Sequence, residues 1–133
     1  MQILGEQFSE KDKDGLLALN LDAFNSDIFT HGGPSAFPPD RSQTVLPSSI
    51  LIGWEDKSLD KDAYDILRSL GTTITKAGIV DGQDLENAAA YTNYALFGTP
   101  LEKMYGENVG RLRAIKRKYD PFHVMDLTGG FRF

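Results

Sequence analysis

Five cationic side chains, Arg111, Arg113, Lys116, Arg117 and Lys118, fall within eight positions of a chain whose net charge is -5. Such a cluster can bind phosphate, lie on an anionic membrane, or face solvent on an ordinary helix. The three- and four-residue spacing of Val109, Leu112, Ile115 and Tyr119 favours the last, because it gives the same stretch one apolar, buried face and leaves the remainder to the cations. Lys116, Arg117 and Lys118 crowd the last turn, where the partial negative charge of a helix end stabilises each by roughly a few tenths of a kcal/mol. Glu102 and Glu107 occupy the complementary start. The overall negative charge opposes general phosphate attraction, and the apolar stripe lacks the Trp or Phe wedge of an interfacial helix, so neither a nucleic-acid nor a membrane partner is expected.

Other reactive residue types are sparse. His31 and His123 are the two histidines, isolated from each other in sequence, so no metal site is expected. The absence of cysteine excludes disulfides, thiolate nucleophiles and iron–sulfur clusters. Ser35, Ser42, Ser48 and Ser49 have no neighbouring histidine and no nucleophile-elbow pattern, which argues against a hydrolase triad. In Tyr91-Thr92-Asn93-Tyr94, strand alternation would put Tyr91 and Asn93 on one face and Thr92 and Tyr94 on the other. A shared role for the first pair is then possible, although by residue type alone all four read as sheet-packing residues.

The elements that must position these groups follow from periodicity. At 133 residues, with 41% hydrophobic and 25% charged residues, the chain has the composition of a soluble globular domain and buries roughly two thirds of its unfolded surface. No apolar run approaches the roughly 20 residues of a membrane span, and the N-terminus lacks a basic start followed by an apolar core. Ser9 and Asp12 can cap a helix over Gly15 to Phe24, yet the alternation of Leu17, Leu19 and Leu21 with Ala18, Asn20 and Asp22 also suits a strand. His31 to Ser49, rich in proline, reads as a long loop, and Ile50, Leu51, Ile52 and Trp54 as a short buried strand. Leu59, Ala63, Ile66, Leu67, Leu70 and Ile74 predict an amphipathic helix of about four turns, followed by a polar connection with Gly78 and Gly82 as breakers. A strand over Ala89 to Phe97, a helix over Leu101 to Tyr119 stopped by Asp120 and Pro121, and a terminal strand complete the order. The fold class is α+β, a small mixed or antiparallel sheet with helices on one face.

Three stretches taken together carry a resemblance: Tyr-Thr-Asn-Tyr at 91–94, YGENVGRLRAIKRKYDP at 105–121, and TGGFRF at 128–133. They resemble the C-terminal signature of the berberine bridge enzyme-like FAD-linked oxidoreductases, in which a Tyr-x-Asn-Tyr strand leads to a helix and a terminal strand. Tyr105, Gly106, Asn108, Arg111, Leu112, Lys116, Lys118, Tyr119, Asp120 and Pro121 fill the helix pattern in order. The match is tight over about a third of the chain, from Tyr91 to Phe133, and looser upstream. Val124-Met125 stands where family members usually place Val-Phe, a change that Met can absorb in the same apolar slot.

The resemblance implies that residues 1–85 correspond to the end of a substrate-binding domain and 86–133 to the berberine-like C-terminal segment. It implies FAD as cofactor, a small-molecule substrate, and the flavin-binding half as the chain's partner, because no G-x-G-x-x-G, P-loop or flavin-linking histidine segment is recognisable here. Oxidases of this type need a base on the substrate side of the ring, and a phenol serves when its pKa is drawn well below about 10. Carried over, that base is Tyr91, with Asn93 holding the site by hydrogen bonds on the flavin side. The rival expectation is a non-catalytic remnant that acts as an interaction module.

Overall fold

Leu16–Leu21 (β1) runs antiparallel to Ser48–Gly53 (β2), with Leu17 opposite Ile52, Leu19 opposite Ile50 and Leu21 opposite Ser48. The computed structural model describes residues 15–25, 27–42 and 47–133, so the expected cap at Ser9 and Asp12 lies outside the described residues. The chain divides into two compact units, the first drawn from residues 1–23 and 46–87 and the second from 24–45 and 88–133. The α+β class holds, with a single two-stranded antiparallel sheet among the described residues.

In the first unit the alternation of Leu17, Leu19 and Leu21 prevails over the helical reading of the same stretch. The six residues of β1 pair with the six of β2 along their whole length, and backbone pairing of that extent outweighs a local preference of a few tenths of a kcal/mol per residue. The ribbon is less buried than expected. Ile52 is buried, whereas Leu51, which alternation turns to the opposite face, is half exposed. Ile52 packs with Leu59 and Ala63, and Trp54, Ile66 and Leu67 close around them. This core joins β2 to a helix, Asp60–Val80 (α1), laid against it.

The helix starts where the sequence equips it to start. The Asp56 carboxylate accepts the Ser58 N–H at 2.8 Å, a 3₁₀ turn over Lys57–Leu59 follows, and Asp60 and Asp62 place negative charge in the first turn. Trp54 Nε1 donates to Asp60 Oδ1 at 2.7 Å, which ties the end of the β2 segment to the helix start. The 21 residues of α1 make close to six turns rather than four. Gly78 does not break it. A Cβ there would come within 2.5 Å of Leu85 Cδ1, so the glycine leaves room for the returning chain, and Gly82, at φ +89°, makes the turn.

The second unit holds two helices where one was expected, Leu101–Tyr105 (α2) and Val109–Tyr119 (α3), joined by a 3₁₀ turn over Gly106–Asn108. Gly106 sits at φ +52°, and a Cβ on it would lie 2.9 Å from Pro39 Cβ. The positive φ interrupts the helix at this point, and both facts require glycine. Met104, with no exposed surface, and Val109 fix the inner sides of the two helices. The apolar stripe of α3 is only partly covered: Val109 is buried, Leu112 half-buried, and Ile115 and Tyr119 are exposed. The terminal strand is not formed. Val124–Thr128 is a 3₁₀ turn instead, and the rings of Phe131 and Phe133 come to 6.4 and 5.4 Å from that of Tyr105. No helix among the described residues is long and apolar enough to cross a membrane.

Candidate functional site

Tyr91 and Asn93 meet, but not as strand neighbours. Residues 91–94 form a turn closed by the Tyr94 N–H on the Tyr91 carbonyl at 3.0 Å, and within it Asn93 Nδ2 donates to Tyr91 Oη at 3.1 Å. A strand needs a partner strand for its backbone groups, whereas here the Tyr94 N–H finds its acceptor within the segment. A phenol oxygen that accepts this bond keeps its O–H as a donor. Asn93 is exposed and Tyr91 half-buried, so the polar edge of the pair faces outward.

The ring of Tyr91 is held by aromatic neighbours that the sequence did not nominate. Phe37 stands 5.6 Å from it, Phe29 6.2 Å, and Tyr94 5.1 Å at 82°, an edge-to-face arrangement. Phe29 and Phe37 are themselves perpendicular at 5.8 Å, and Phe24 extends the cluster at 6.5 Å from Phe29. Phe29 lies in a 3₁₀ turn over Ile28–Thr30 and Phe37 in the proline-rich loop that follows it, and polar ties order both. Arg41 donates to the carbonyls of Phe29, at 3.0 Å, and His31, at 2.6 Å, and to the Ser35 hydroxyl. Asn108 Nδ2 donates to the Ala36 carbonyl at 3.2 Å, across 72 residues of sequence. The five phenylalanine and proline positions over 29–39 were the available signal, but composition alone does not say which ring they face.

The basic run contains a second polar cluster. Lys116 Nζ lies 2.7 Å from Asp120 Oδ2 and 2.7 Å from Asp126 Oδ1, with its side chain 12% exposed, so this cation is paired rather than solvated. Asp120 Oδ1 also accepts the Val124 N–H at 2.7 Å, and Oδ2 the Met125 N–H at 3.2 Å. His123, in the left-handed region at φ +56°, pairs through Nδ1 with Asp126 at 3.2 Å. The Lys116 ammonium holds the Asp120 carboxyl below the usual carboxylate range, helped by the two backbone N–H groups. Asp126 is lowered in the same way by Lys116 and then His123, while hydrogen bonds from Asp120 and Asp126 raise Lys116 above the usual lysine range. The i, i+4 spacing of Lys116 and Asp120 was the readable signal. A cleft of about 370 Å³ lies beside this cluster, lined by Leu112, Ile115, Met125 and Phe133 among others, and Tyr91 and Asn93 do not line it. His31 pairs with Asp27 at 3.2 Å, and no group of three metal-binding side chains occurs among the described residues.

Residues 90–127 match the family described as berberine and berberine like. The chain is also similar to the FAD-linked oxidoreductase OXR2 of Pyricularia oryzae (strain 70-15), at 32% identity over 108 residues, 68% of this chain and 20% of that protein. It therefore spans about a fifth of the length of this curated relative. No solved structure matches.

Proposed function

We propose, from the premise that residues 90–127 belong to the berberine and berberine-like family, that this chain is part of an FAD-linked oxidoreductase and builds the substrate side of its flavin pocket. The observation that carries the reading is the Tyr91–Asn93 pair, a phenol and an amide in direct hydrogen bond with their polar edge turned outward. Such a pair fits a small-molecule substrate whose O–H, N–H or C–H must lose a proton. Tyr91 would receive that proton at Oη as its phenolate and become the phenol, while the Asn93 amide N–H, which donates to the same oxygen, orients it and favours the anion. FAD, when bound, supplies the electron acceptor. The dinucleotide phosphates fall to a separate flavin-binding half, since this sequence carries no glycine-rich phosphate loop. Within this division, residues 1–85 correspond to the end of the substrate domain and 86–133 to the berberine-like segment.

The test is a flavin titration followed by absorbance and fluorescence, with the chain alone and with the chain joined to the flavin-binding half of such an oxidoreductase. The joined protein is expected to hold flavin with a shifted visible spectrum. A mixture that stays flavin-free sinks the proposal. The exposure of Phe122, at 87%, and Leu127, at 86%, favours a second reading, a non-catalytic module that offers this surface to a partner. A chain that sediments as a concentration-independent monomer and stays apart from the flavin-binding half would count against it.

A further inference from the structure

We infer that the proline-rich loop, through Phe37, is the positioning element for Tyr91, and that Gly106 and Asn108 hold this loop in place. The inference rests on the proposed role of Tyr91, but its geometry stands by itself. Phe37 is the nearer of the two phenylalanine rings, 5.6 Å from Tyr91, and it meets Phe29 at 90°, so each ring restricts the rotation of the next. A loop rich in glycine and proline does not hold a ring in place without being tied down. Three ties are present. Arg41 draws the carbonyls of Phe29 and His31 together, Asn108 holds the Ala36 carbonyl next to Phe37, and Pro39 seats against Gly106 with no room for a Cβ between them.

Gly106 and Asn108 thereby acquire a role that their position in a helical stretch conceals. They break the helix and use the break to hold a loop some 70 residues upstream, which in turn fixes the ring of Tyr91. Phe37 is a positioning residue, not a catalytic one, since its hydrocarbon ring packs against the Tyr91 ring and carries no group that takes or gives a proton.

The experiment uses the full chain labelled with 3-fluorotyrosine and followed by fluorine NMR, with the Tyr91 line assigned from Tyr91→Phe. In Phe37→Leu and Asn108→Ala the Tyr91 line is expected to collapse toward its position in the urea-unfolded chain. The Tyr105 line, which reports packing against Phe131 and Phe133 in the same unit, should stay where it is. Phe37→Tyr, which restores an aromatic ring, should return the Tyr91 line to its folded position. A Tyr91 line unmoved in Phe37→Leu overturns the inference. If Asn108→Ala displaces the Tyr105 line as well, the Phe37 pair of variants decides. No flavin enters this measurement, so it can fail while the proposed function stands. Conversely, a positioned Tyr91 whose replacement by Phe leaves turnover of the flavin-loaded enzyme unchanged would refute the role of Tyr91 and leave the positioning intact.

Discussion

Lys116 Nζ lies 2.7 Å from Asp126 Oδ1, and this contact joins α3 to the C-terminal turn that follows it. With Asp120 on the other side at 2.7 Å, the ammonium is enclosed by two carboxylates, one of which also receives the N–H groups of Val124 and Met125. What reads in sequence as the end of a basic run is therefore the anchor of the tail.

The anchor sets a pH dependence. Asp120 and Asp126 titrate below their ordinary value, so their contribution to stability is present above about pH 4 and is lost as pH falls through the lowered values. Lys116 titrates above its ordinary value, so its contribution is present below about pH 10 and is lost as pH rises through the raised one. Thermal midpoints followed by circular dichroism should be flat between these limits and fall on both flanks. Asp126→Asn, which leaves Lys116 one partner, should make both flanks shallower, and an unchanged acid flank would remove Asp126 from the anchor.

Gly106→Ala forces a side chain into a positive-φ position and against Pro39. The backbone strain alone costs about 1–2 kcal/mol, and the contact adds to it. Urea unfolding should show a lowered midpoint with unchanged slope; a loss below about 0.5 kcal/mol would mean that the turn has another way to form.

Met104→Ala removes a fully buried side chain from α2 and should cost about 2–5 kcal/mol. Phe122→Ala, at a residue 87% exposed, should stay within about 0.5 kcal/mol. Parallel denaturant curves of the two variants check both values, and comparable losses would contradict this description of the core.

Tyr91→Phe removes the phenol oxygen while keeping the ring that Phe29, Phe37 and Tyr94 surround. Stability should change little, since the lost partner, Asn93, is exposed and can bond water. In a flavin-loaded enzyme containing this chain, kcat should fall by about 100-fold or more, the usual share of a positioned acid or base. Stopped-flow measurement of flavin reduction reads the chemical step directly, and an unchanged rate would exclude Tyr91 as the base.

The sequence by itself determined the features that depend on neighbours in the chain. The α1 stripe, the stop at Asp120 and Pro121, the α+β class and the berberine-like spacing from Tyr105 to Pro121 all arise from local periodicity or fixed order. Tertiary structure decided what depends on partners far away. Leu16–Leu21 is a strand because Ser48–Gly53 pairs with it, whereas Tyr91 to Tyr94, with no pairing strand among the described residues, is a turn closed by the Tyr94 N–H on the Tyr91 carbonyl. Helix 101–119 is broken at Gly106, where a positive φ coincides with the close approach of Pro39 from far upstream. Strand alternation would put Tyr91 and Asn93 on one face, whereas a turn brings them into contact, and the cradle of Phe29 and Phe37 comes from residues more than 50 positions upstream. Backbone pairing and ring packing reward contacts regardless of sequence separation, so the chain order alone does not encode which of them close.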